Sequence, residues 1–537
     1  MKLSPGKKFF YLFMGIFTVG ILLRVYELSG KSFKICDEGY HLMYPFVYSL
    51  GLENVFYFKH GLMMWIYWGL SLFSFTVEGA LLFNVFCGIL TMPLFYLLCR
   101  QFLKTRASLF AFLAFASSYY IIYYHRTFLS DGFGLFFFTA TLLLIIITFR
   151  LFGIIKCPGG LRCFKRYRYL FLLFAGVLLG FSYTVRIQTC LALLGVMGAC
   201  GAAFVIYRWI LRKRRVPFSF GRYVLISGCL VLIGILFYYI FLFHIVKDAV
   251  LWESTLEWYG KNFVIASGQN SREWQPFLMI FLFKFCSLSF LAGGFAGLLI
   301  DAFRVRSLNI VRLAFLISAA GLGVMYFYLK MPWPRAYLYF VCFLCIYWGI
   351  FLDAVLSFKI LSSRKWLVPG IAGLTVLALF IGEFRLLKHM FTMDSNYNKA
   401  LAWIGKNSGK SKFSTTHAWP IIFIAAPRQV HIIYDKAYPS YEFFLNSIAG
   451  NCRYKDIRFV VVDSYASYFR DNHDFLERLY REFEPTVEFS NDYGLDEHTS
   501  YDAFGVGPCK DIFIDKIVIF DVSNMKKRPE PLVMEKK

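Results

Sequence analysis

Two adjacent carboxylates, Asp37 and Glu38, follow the first long apolar stretch of this sequence. Residues 9–25 are apolar enough to cross a bilayer, and the acidic pair comes twelve positions later. A carboxylate beside hydrocarbon is costly unless it has a function or a cationic partner there. Such a group can act as a general base, removing a proton from a hydroxyl or an amine. The pair therefore predicts chemistry at a membrane surface.

Basic and polar residues that could act with this pair occur near it or at the ends of later apolar stretches. Clusters of Lys and Arg at headgroup level suit an anionic lipid phosphate. The candidates for phosphate or substrate binding are His41, Lys59, His60, Arg126, Asp131, Arg186, Lys330, Arg335 and Tyr337.

Several of these residues also have a structural interpretation. Arg126 could pair with Asp131, and the two basic residues at 330 and 335 could end a helix at the prolines beside them. The acidic pair could neutralise Lys34. Arg24 is most simply an interfacial residue whose side chain snorkels to the surface. We favour the functional interpretation of the others because they share one membrane depth.

The composition is that of a polytopic membrane protein. The chain has 537 residues, of which 58% are hydrophobic and 17% charged, with a net charge of +24. Residues 1–390 contain 38 Lys and Arg against 13 Asp and Glu, whereas residues 391–537 contain 19 against 20. The excess positive charge lies in the apolar part, where it sets topology, and this excludes nucleic acid as a partner.

The charges between apolar stretches predict eleven spans. Twelve stretches are present, and the charges alternate consistently if residues 61–76 form an interfacial or re-entrant helix. One face then has 24 basic residues opposed by Asp301 and Asp353, and the other has 14 basic and 11 acidic residues. By the positive-inside rule the N-terminus is cytoplasmic. The first span is predicted to be a retained anchor.

Hydropathy falls near Met390, so we divide the chain into a membrane domain, 1–389, and a C-terminal domain, 390–537. The latter is predicted to lie outside the cytoplasm as a small α/β domain. Its predicted helices cover 396–406 and 474–483, and its predicted strands cover 421–425, 430–434, 458–462 and 512–520.

Four blocks of the membrane domain resemble the GT-C superfamily of membrane glycosyltransferases. The nearest groups are the protein O-mannosyltransferase-like enzymes and the lipid A aminoarabinose transferases, and the resemblance covers roughly residues 8–385. The blocks are Asp37-Glu38-Gly39-Tyr40, Phe58-Lys59-His60-Gly61-Leu62 with Trp65, Tyr124-His125-Arg126 with Ser130-Asp131, and Lys330 to Tyr337.

The resemblance implies a GT-C-like helical fold and an inverting transfer from a polyprenyl-phosphate-sugar donor at the external face. The acceptor would be a lipid, a glycan or a protein. Asp37 would be the general base, and Glu38 would orient it or the acceptor. The donor phosphate would be held by Lys59, Arg126, Arg186, Lys330 and Arg335, while His41, His60, Asp131 and Tyr337 would contact substrate.

The sequence departs from the family at two places. His60-Gly61 replaces a Pro-Pro pair, and residues 79–87 lack an Arg that relatives often carry. No cofactor is expected to be required, although Asp37, Glu38 and Asp131 could gather around a divalent cation.

Three other classes remain open. A transporter or flippase would need polar residues inside its spans, which here are almost free of charge. A polyprenyl-linked polysaccharide ligase or polymerase would more often place its catalytic residues in a late external loop. A membrane anchor would not need eleven spans. Because no Asn-x-Ser/Thr sequon occurs, a bacterial inner membrane is the expected location.

Overall fold

The computed structural model describes thirteen stretches of the chain and two single positions. These are residues 5–28, 42, 45, 60–156, 159–210, 219–241, 286–329, 337–357, 367–392, 396–407, 412–415, 430–432, 457–463, 475–491 and 515–523.

The first part of these residues is helical throughout. Leu, Ile, Phe and Val fill each helix, and Lys or Arg stands near many of the helix ends, as expected for spans that end at a water interface. The helices are α1 Pro5–Val25, α2 His60–Phe73, α3 Val77–Arg100, α4 Thr105–Ser117, α5 Tyr119–Arg126, α6 Ser130–Leu151, α7 Arg168–Val185, α8 Ile187–Val205, α9 Phe220–Ile240, α10 Leu288–Phe303, α11 Ile310–Leu329, α12 Leu338–Leu356 and α13 Leu367–Thr392.

Eight of the described helices are long and apolar enough to cross a membrane, and the number is nine if α4 and α5, which meet at a bend of 54°, are counted as one broken span. Shorter apolar helical segments lie at Gly61–Phe73, Leu288–Phe303 and Ile310–Met325. The predicted polytopic helical fold is confirmed. Helix α2 has 14 residues, about 21 Å at 1.5 Å per residue, which is short of a bilayer core. The chain is an integral membrane protein.

Close approach of backbones holds these helices together. Helix α7 packs on α9 and α6, α12 packs on α4 and α10, and α8 packs on α11. A Cβ atom on Gly180 would collide with the carbonyl of Gly234, and one on Gly349 would collide with the backbone of α4. Small residues at such crossings allow dispersion contacts in a setting where lipid provides no hydrophobic driving force.

Two contact patterns define the ends of the bundle. At one end, Arg126 of α5 contacts the last turn of α1, and Asp131 of α6 contacts Arg186 between α7 and α8. We call this the Asp131 end. At the other end, Arg150 of α6 donates to the carbonyls of Lys156 and Gln101. We call this the Arg150 end.

The C-terminal part of the described residues contains a mixed sheet. Its elements are α14 Asn396–Asn407, β1 Lys412–Thr415, β2 Val430–Ile432, β3 Ile457–Asp463, α15 Phe475–Glu482, β4 Pro485–Asn491 and β5 Asp515–Asp521. The strand order is β2-β1-β3-β5-β4, with β2-β1-β3 parallel and β3-β5-β4 antiparallel.

Most predicted elements of this part are present within a few residues. Strands β1 and β4 were not predicted, and the predicted strand 421–425 lies outside the described residues. Every second residue of β4 is a Thr, Glu or Ser. The alternation of these residues with Val487 and Phe489 is too short to distinguish a strand from a loop by sequence.

Helix α14 packs on this sheet, because Trp403 lies edge-on against Phe459 of β3, with ring centroids 5.4 Å apart.

The chain folds as two compact units. One comprises residues 1–26, 54–69 and 82–391, and the other comprises residues 27–53, 70–81 and 392–537. Most of the apolar helices belong to the first unit, and the mixed sheet belongs to the second.

A buried carboxyl group at the bend between α4 and α5 joins three helices. Glu383 of α13 is 1% exposed and accepts hydrogen bonds from the Tyr119 amide at 2.6 Å, the Ser287 amide at 3.1 Å and the Ser287 hydroxyl at 2.6 Å. These donors stand at the starts of α5 and α10, where helix dipoles favour negative charge. Glu383 therefore holds both helix starts against α13.

We expect Glu383→Ala to destabilise the membrane part by about 2–5 kcal/mol, because three buried donors would lose their acceptor. Thermal unfolding in detergent, followed by intrinsic tryptophan fluorescence, measures the change. Arg385→Gln, an exposed position on the same helix, is the matched control and should leave the midpoint unchanged. A midpoint unaffected by Glu383→Ala would contradict this role.

Candidate functional site

The Asp131 end brings together three of the predicted site residues. Arg126 is the last residue of α5, Asp131 lies in the first turn of α6, and Arg186 lies between α7 and α8. All three are buried, at 5%, 0% and 6% exposure. They meet because each stands where one helix ends or another begins at the same level of the bundle.

Asp131 and Arg186 form an ion pair. Arg186 Nη1 donates to Asp131 Oδ1, and Arg186 Nε donates to the side chain of Gln188 at 3.2 Å. Arg186 Nη2 has no hydrogen bond to any described residue. Asp131 Oδ2 is buried without a hydrogen-bond partner in the described part of the chain. Among the described residues, Arg186 Nη2 and Asp131 Oδ2 are therefore the two polar atoms of the pair without a hydrogen-bond partner.

A second polar contact lies next to this pair. The hydroxyl groups of Thr189 and Tyr339 are hydrogen-bonded, which joins the start of α8 to the start of α12. A Cβ atom on Gly134 would lie 2.9 Å from the Thr189 hydroxyl and 3.2 Å from Cδ of Arg186. Only glycine at this position of α6 leaves room for the two side chains.

Arg126 holds the end of α1. Its Nη1 donates to the carbonyls of Leu23, Arg24 and Tyr26 at 3.3, 3.1 and 2.6 Å, and its guanidinium lies 5.1 Å from the ring centroid of Phe391. The last carbonyls of a helix have no partner within the helix, and a cation there also complements the dipole. Asp131 pairs with Arg186, not with Arg126 as the structural alternative supposed.

Arg24 does not snorkel to the surface, contrary to our expectation. It is 0% exposed, and it donates to His125 Nδ1 at 3.0 Å and to the carbonyls of Gly20 and Ala116 at 2.9 and 3.0 Å. The imidazole and two carbonyls replace the water that snorkelling would have provided. Arg24 and Arg126 thus fix the last turn of α1 against α4 and α5.

Helix α2 begins beside the Asp131–Arg186 pair. A Cβ atom on Gly61 would collide with the side chain of Thr184, two residues before Arg186. The Gly that stands in place of a proline is therefore required by this contact. Trp65, one turn on, packs against the rings of Phe83, Phe136 and Phe137.

Two of the remaining predicted site residues lie at the starts of helices, and the others lie outside the described residues. Tyr337 precedes α12 and is fully buried. The backbone of His60 starts α2. Six predicted site residues lie outside the described part of the chain, and their roles stay predictions: Asp37, Glu38, His41, Lys59, Lys330 and Arg335.

Asn84 is a polar residue of the site that the sequence did not single out. Its amide group donates to the carbonyls of Tyr124 and Thr127 at 3.0 and 2.6 Å, across the break between α5 and α6. A lone amide within an apolar span was the available signal, because such a group in hydrocarbon needs partners. Asn84 positions the chain between Arg126 and Asp131.

No protein-family model and no curated protein sequence matches the chain. Solved structures do resemble it. ArnT from Cupriavidus metallidurans aligns in the apo state at 13% identity and a TM-score of 0.59, covering 98% of this chain and 100% of that one. The same protein bound to undecaprenyl phosphate aligns at 12% identity and 0.60, covering 96% and 99%.

An archaeal oligosaccharyltransferase is similar over a shorter part of its length. AglB from Archaeoglobus fulgidus, in complex with an inhibitory peptide and a dolichol-phosphate, aligns at 14% identity and a TM-score of 0.55, covering 87% of this chain and 71% of that one. ArnT and AglB are GT-C superfamily membrane glycosyltransferases. The chain therefore has the GT-C fold, and the fold that the resemblance implied is confirmed.

We expect Asp131→Asn to destabilise the protein by about 3–5 kcal/mol, because it leaves the buried Arg186 without its counter-ion. Adding Arg186→Gln should recover part of this loss, since the double variant carries no unpaired charge. The half-exposed pair Arg106–Asp353, at 2.5 Å, is the control, and breaking it should cost about 0–1 kcal/mol. Thermal unfolding midpoints in detergent measure the stability of the variants at each pair. An equal loss of stability at the two pairs would contradict the conclusion that Asp131 and Arg186 form a buried ion pair.

Proposed function

Taking the GT-C fold as the premise, we propose that this protein transfers a sugar from a polyprenyl-phosphate-sugar donor to an acceptor at the external membrane face. The observation that carries the proposal is the alignment with ArnT over nearly the whole of both chains. The second observation is the buried cationic site at the Asp131 end. ArnT and AglB have structures with a polyprenyl phosphate or a dolichol-phosphate bound, and this supports a donor of the same chemical type.

The proposed reaction is a single displacement. An acceptor hydroxyl or amine attacks the anomeric carbon as the bond from that carbon to the donor phosphate oxygen breaks. Asp37 takes the acceptor proton, Glu38 orients the base or the acceptor, and polyprenyl phosphate leaves with the bonding electron pair. One bond forms and one breaks on opposite faces of the carbon, so the configuration inverts.

Charge builds on the leaving phosphate in the transition state, and fixed cations lower the barrier for that reason. Arg186 suits this role because Asp131 and Gln188 hold its guanidinium while Nη2 has no hydrogen bond to any described residue. Lys59, Lys330 and Arg335 complete the proposed phosphate site. His41, His60, Asp131 and Tyr337 are proposed to contact the sugar or the acceptor.

The contacts of Arg126 favour a positioning role over direct phosphate binding. One of its terminal nitrogens is already engaged by three carbonyl groups at the end of α1. The connection that contains Asp37 starts from that helix end. Arg126 is therefore proposed to act on the reaction chiefly by fixing where this connection begins.

A divalent cation is not part of the proposed mechanism. Asp131, one of the three carboxylates that could gather around a cation, is already paired with Arg186. An Archaeoglobus fulgidus oligosaccharyltransferase has been solved with Zn and sulfate, so metal dependence calls for a direct test.

The first functional test compares wild type with Asp37→Asn, which removes the base and nearly preserves its shape. We expect transfer from radiolabelled polyprenyl-phosphate mannose, aminoarabinose or galactosamine in the wild type, and a loss of at least about 100-fold in the variant. The neighbouring Glu38→Gln separates the two carboxylates and should retain more activity.

The thermal midpoint of each purified variant shows whether it is folded. Equal transfer by wild type and a folded Asp37→Asn would remove Asp37 as the base. A wild type inactive with every donor and acceptor would contradict the transferase proposal and favour a transporter.

Removal of metal provides an independent test. Incubation with EDTA followed by desalting should leave the transfer rate within about twofold, because fixed guanidinium and ammonium groups neutralise the leaving phosphate. A chelated enzyme that regains activity only on addition of Mg²⁺, Mn²⁺ or Zn²⁺ would show that the carboxylates hold a required cation.

A further inference from the structure

The Arg150 end of the bundle contains two kinds of arginine. Arg106 pairs with Asp353 at 2.5 Å, and Arg312 donates to Asp301 at 2.7 Å. These aspartates are the two acidic residues that the charge pattern assigns to this face, so Arg106 of α4 and Arg312 of α11 have counter-ions on α12 and α10.

The connections α6–α7 and α8–α9 contain no acidic residue of their own. The sequence contains no Asp or Glu between Asp131 and Asp248. Twelve basic residues of this face fall within that interval: Arg150, Lys156, Arg162, Lys165, Arg166, Arg168, Arg208, Arg212, Lys213, Arg214, Arg215 and Arg222.

Two of these cations flank one turn. The guanidinium of Arg168 lies 5.5 Å from the ring centroid of Phe152 and 4.8 Å from that of Tyr169. Arg222 Nη1 lies 3.3 Å from the position that a Cβ atom on Gly153 would occupy. Gly153 has a φ of +70°, a left-handed conformation that favours glycine, and a side chain at this position would press on the Arg222 guanidinium.

The turn is also tied to the second connection. The Ser219 amide donates to the carbonyl of Ile154 at 3.3 Å, which fixes the start of α9, and with it Arg222, beside the 152–153 turn. Both arginines are exposed, and neither forms an ion pair with any residue that the structure describes. Arg168 Nη2 also donates to the Tyr169 hydroxyl at 2.9 Å, which leaves the other nitrogens of its guanidinium without a hydrogen bond to any described residue. Both arginines are thus positioned at the same turn, Arg168 by aromatic rings and Arg222 by the start of α9.

From this arrangement we propose that Arg168 and Arg222, at the 152–153 turn, bind the phosphate of an anionic phospholipid headgroup. Arginine presents paired donors that match phosphate oxygens, and stacking on an aromatic ring keeps those donors free. The flanking short helix, Gly159–Tyr167, adds the exposed side chains of Phe164 and Tyr167, with the Arg166 guanidinium 4.6 Å from the ring centroid of Tyr167.

The position on the bundle favours a lipid over a soluble anion. Tyr169 and Leu170 of α7 are 63% and 47% exposed, and Val224 and Leu225 of α9 are 53% and 64% exposed. Apolar surface of this kind faces acyl chains in a membrane protein, so both arginines stand where that surface meets the headgroups. The proposal concerns the end of the bundle opposite the Asp131 site and does not depend on the proposed transfer reaction.

The test uses the purified full-length chain, delipidated in detergent and titrated with phosphatidylglycerol, with binding followed by native mass spectrometry. Replacing both arginines (Arg168→Gln/Arg222→Gln) should weaken binding by about tenfold or more, since each basic residue near a lipid surface contributes about 1 kcal/mol. The double variant Lys8→Gln/Lys104→Gln removes the same charge from the same end and should bind within about twofold of wild type.

The competing explanations give different results. Equal weakening in both double variants would show that only net charge attracts the lipid, and it would overturn the site. Loss of undecaprenyl phosphate binding alone, with phosphatidylglycerol unaffected, would assign the arginines to a substrate-type lipid and overturn the phospholipid proposal. Phosphatidylcholine, which has no net charge, should bind equally to all variants. Transition midpoints measured without lipid show that each variant is folded.

Discussion

The ion pair between Asp131 and Arg186 sets the arrangement of the Asp131 end. A bundle surrounded by lipid cannot leave a charged group unpaired without a large desolvation cost. Asp131 is fixed to the first turn of α6 and Arg186 to the break between α7 and α8, so their contact fixes three helices. The Thr189–Tyr339 contact then joins α12 to the same place, and Gly134 provides the space.

The same constraint explains why other polar groups of this end engage helix termini. Arg126 donates to the last carbonyls of α1, and Asn84 donates to carbonyls at the end of α5. Glu383 accepts from the Tyr119 amide, the first of α5, and from Ser287 just before α10. Every helix end inside the bundle exposes such groups. Side chains from neighbouring spans therefore satisfy them and, in doing so, fix the order and level of the helices.

This constraint also determines how far the sequence could predict the structure. Hydropathy and the distribution of Lys and Arg were enough to predict where the described apolar helices lie, including the short helix α2, because hydropathy and charge are properties of local stretches. Of the eleven predicted spans, eight described helices, or nine with the bent pair α4 and α5, are long and apolar enough to cross a membrane. Apart from the Gly20 carbonyl beside Arg24, the partners of Arg24, Asn84 and Glu383 are 40 to 264 residues away. A pattern within one stretch can indicate that a polar residue needs a partner, but it cannot identify a partner on another helix. For Arg24 the sequence led to the wrong environment for that reason.

The two ends of the bundle use arginine in opposite ways, and this difference bears on function. At the Asp131 end, the guanidinium groups of Arg24, Arg126 and Arg186 are almost fully buried and held by two to three hydrogen bonds each. A cation held in this way needs no reorganisation when charge develops beside it, which is what stabilisation of a phosphate leaving group requires.

At the Arg150 end, Arg168 and Arg222 are exposed, and one Arg168 nitrogen donates to Tyr169, so most of their donors remain for a mobile partner. An exposed guanidinium of this kind would stabilise a transition state poorly, because water competes for its donors and screens its charge. It would still hold a headgroup at the interface. Burial thus separates a site suited to catalysis from one suited to anchoring, although both use the same side chain and the same phosphate chemistry.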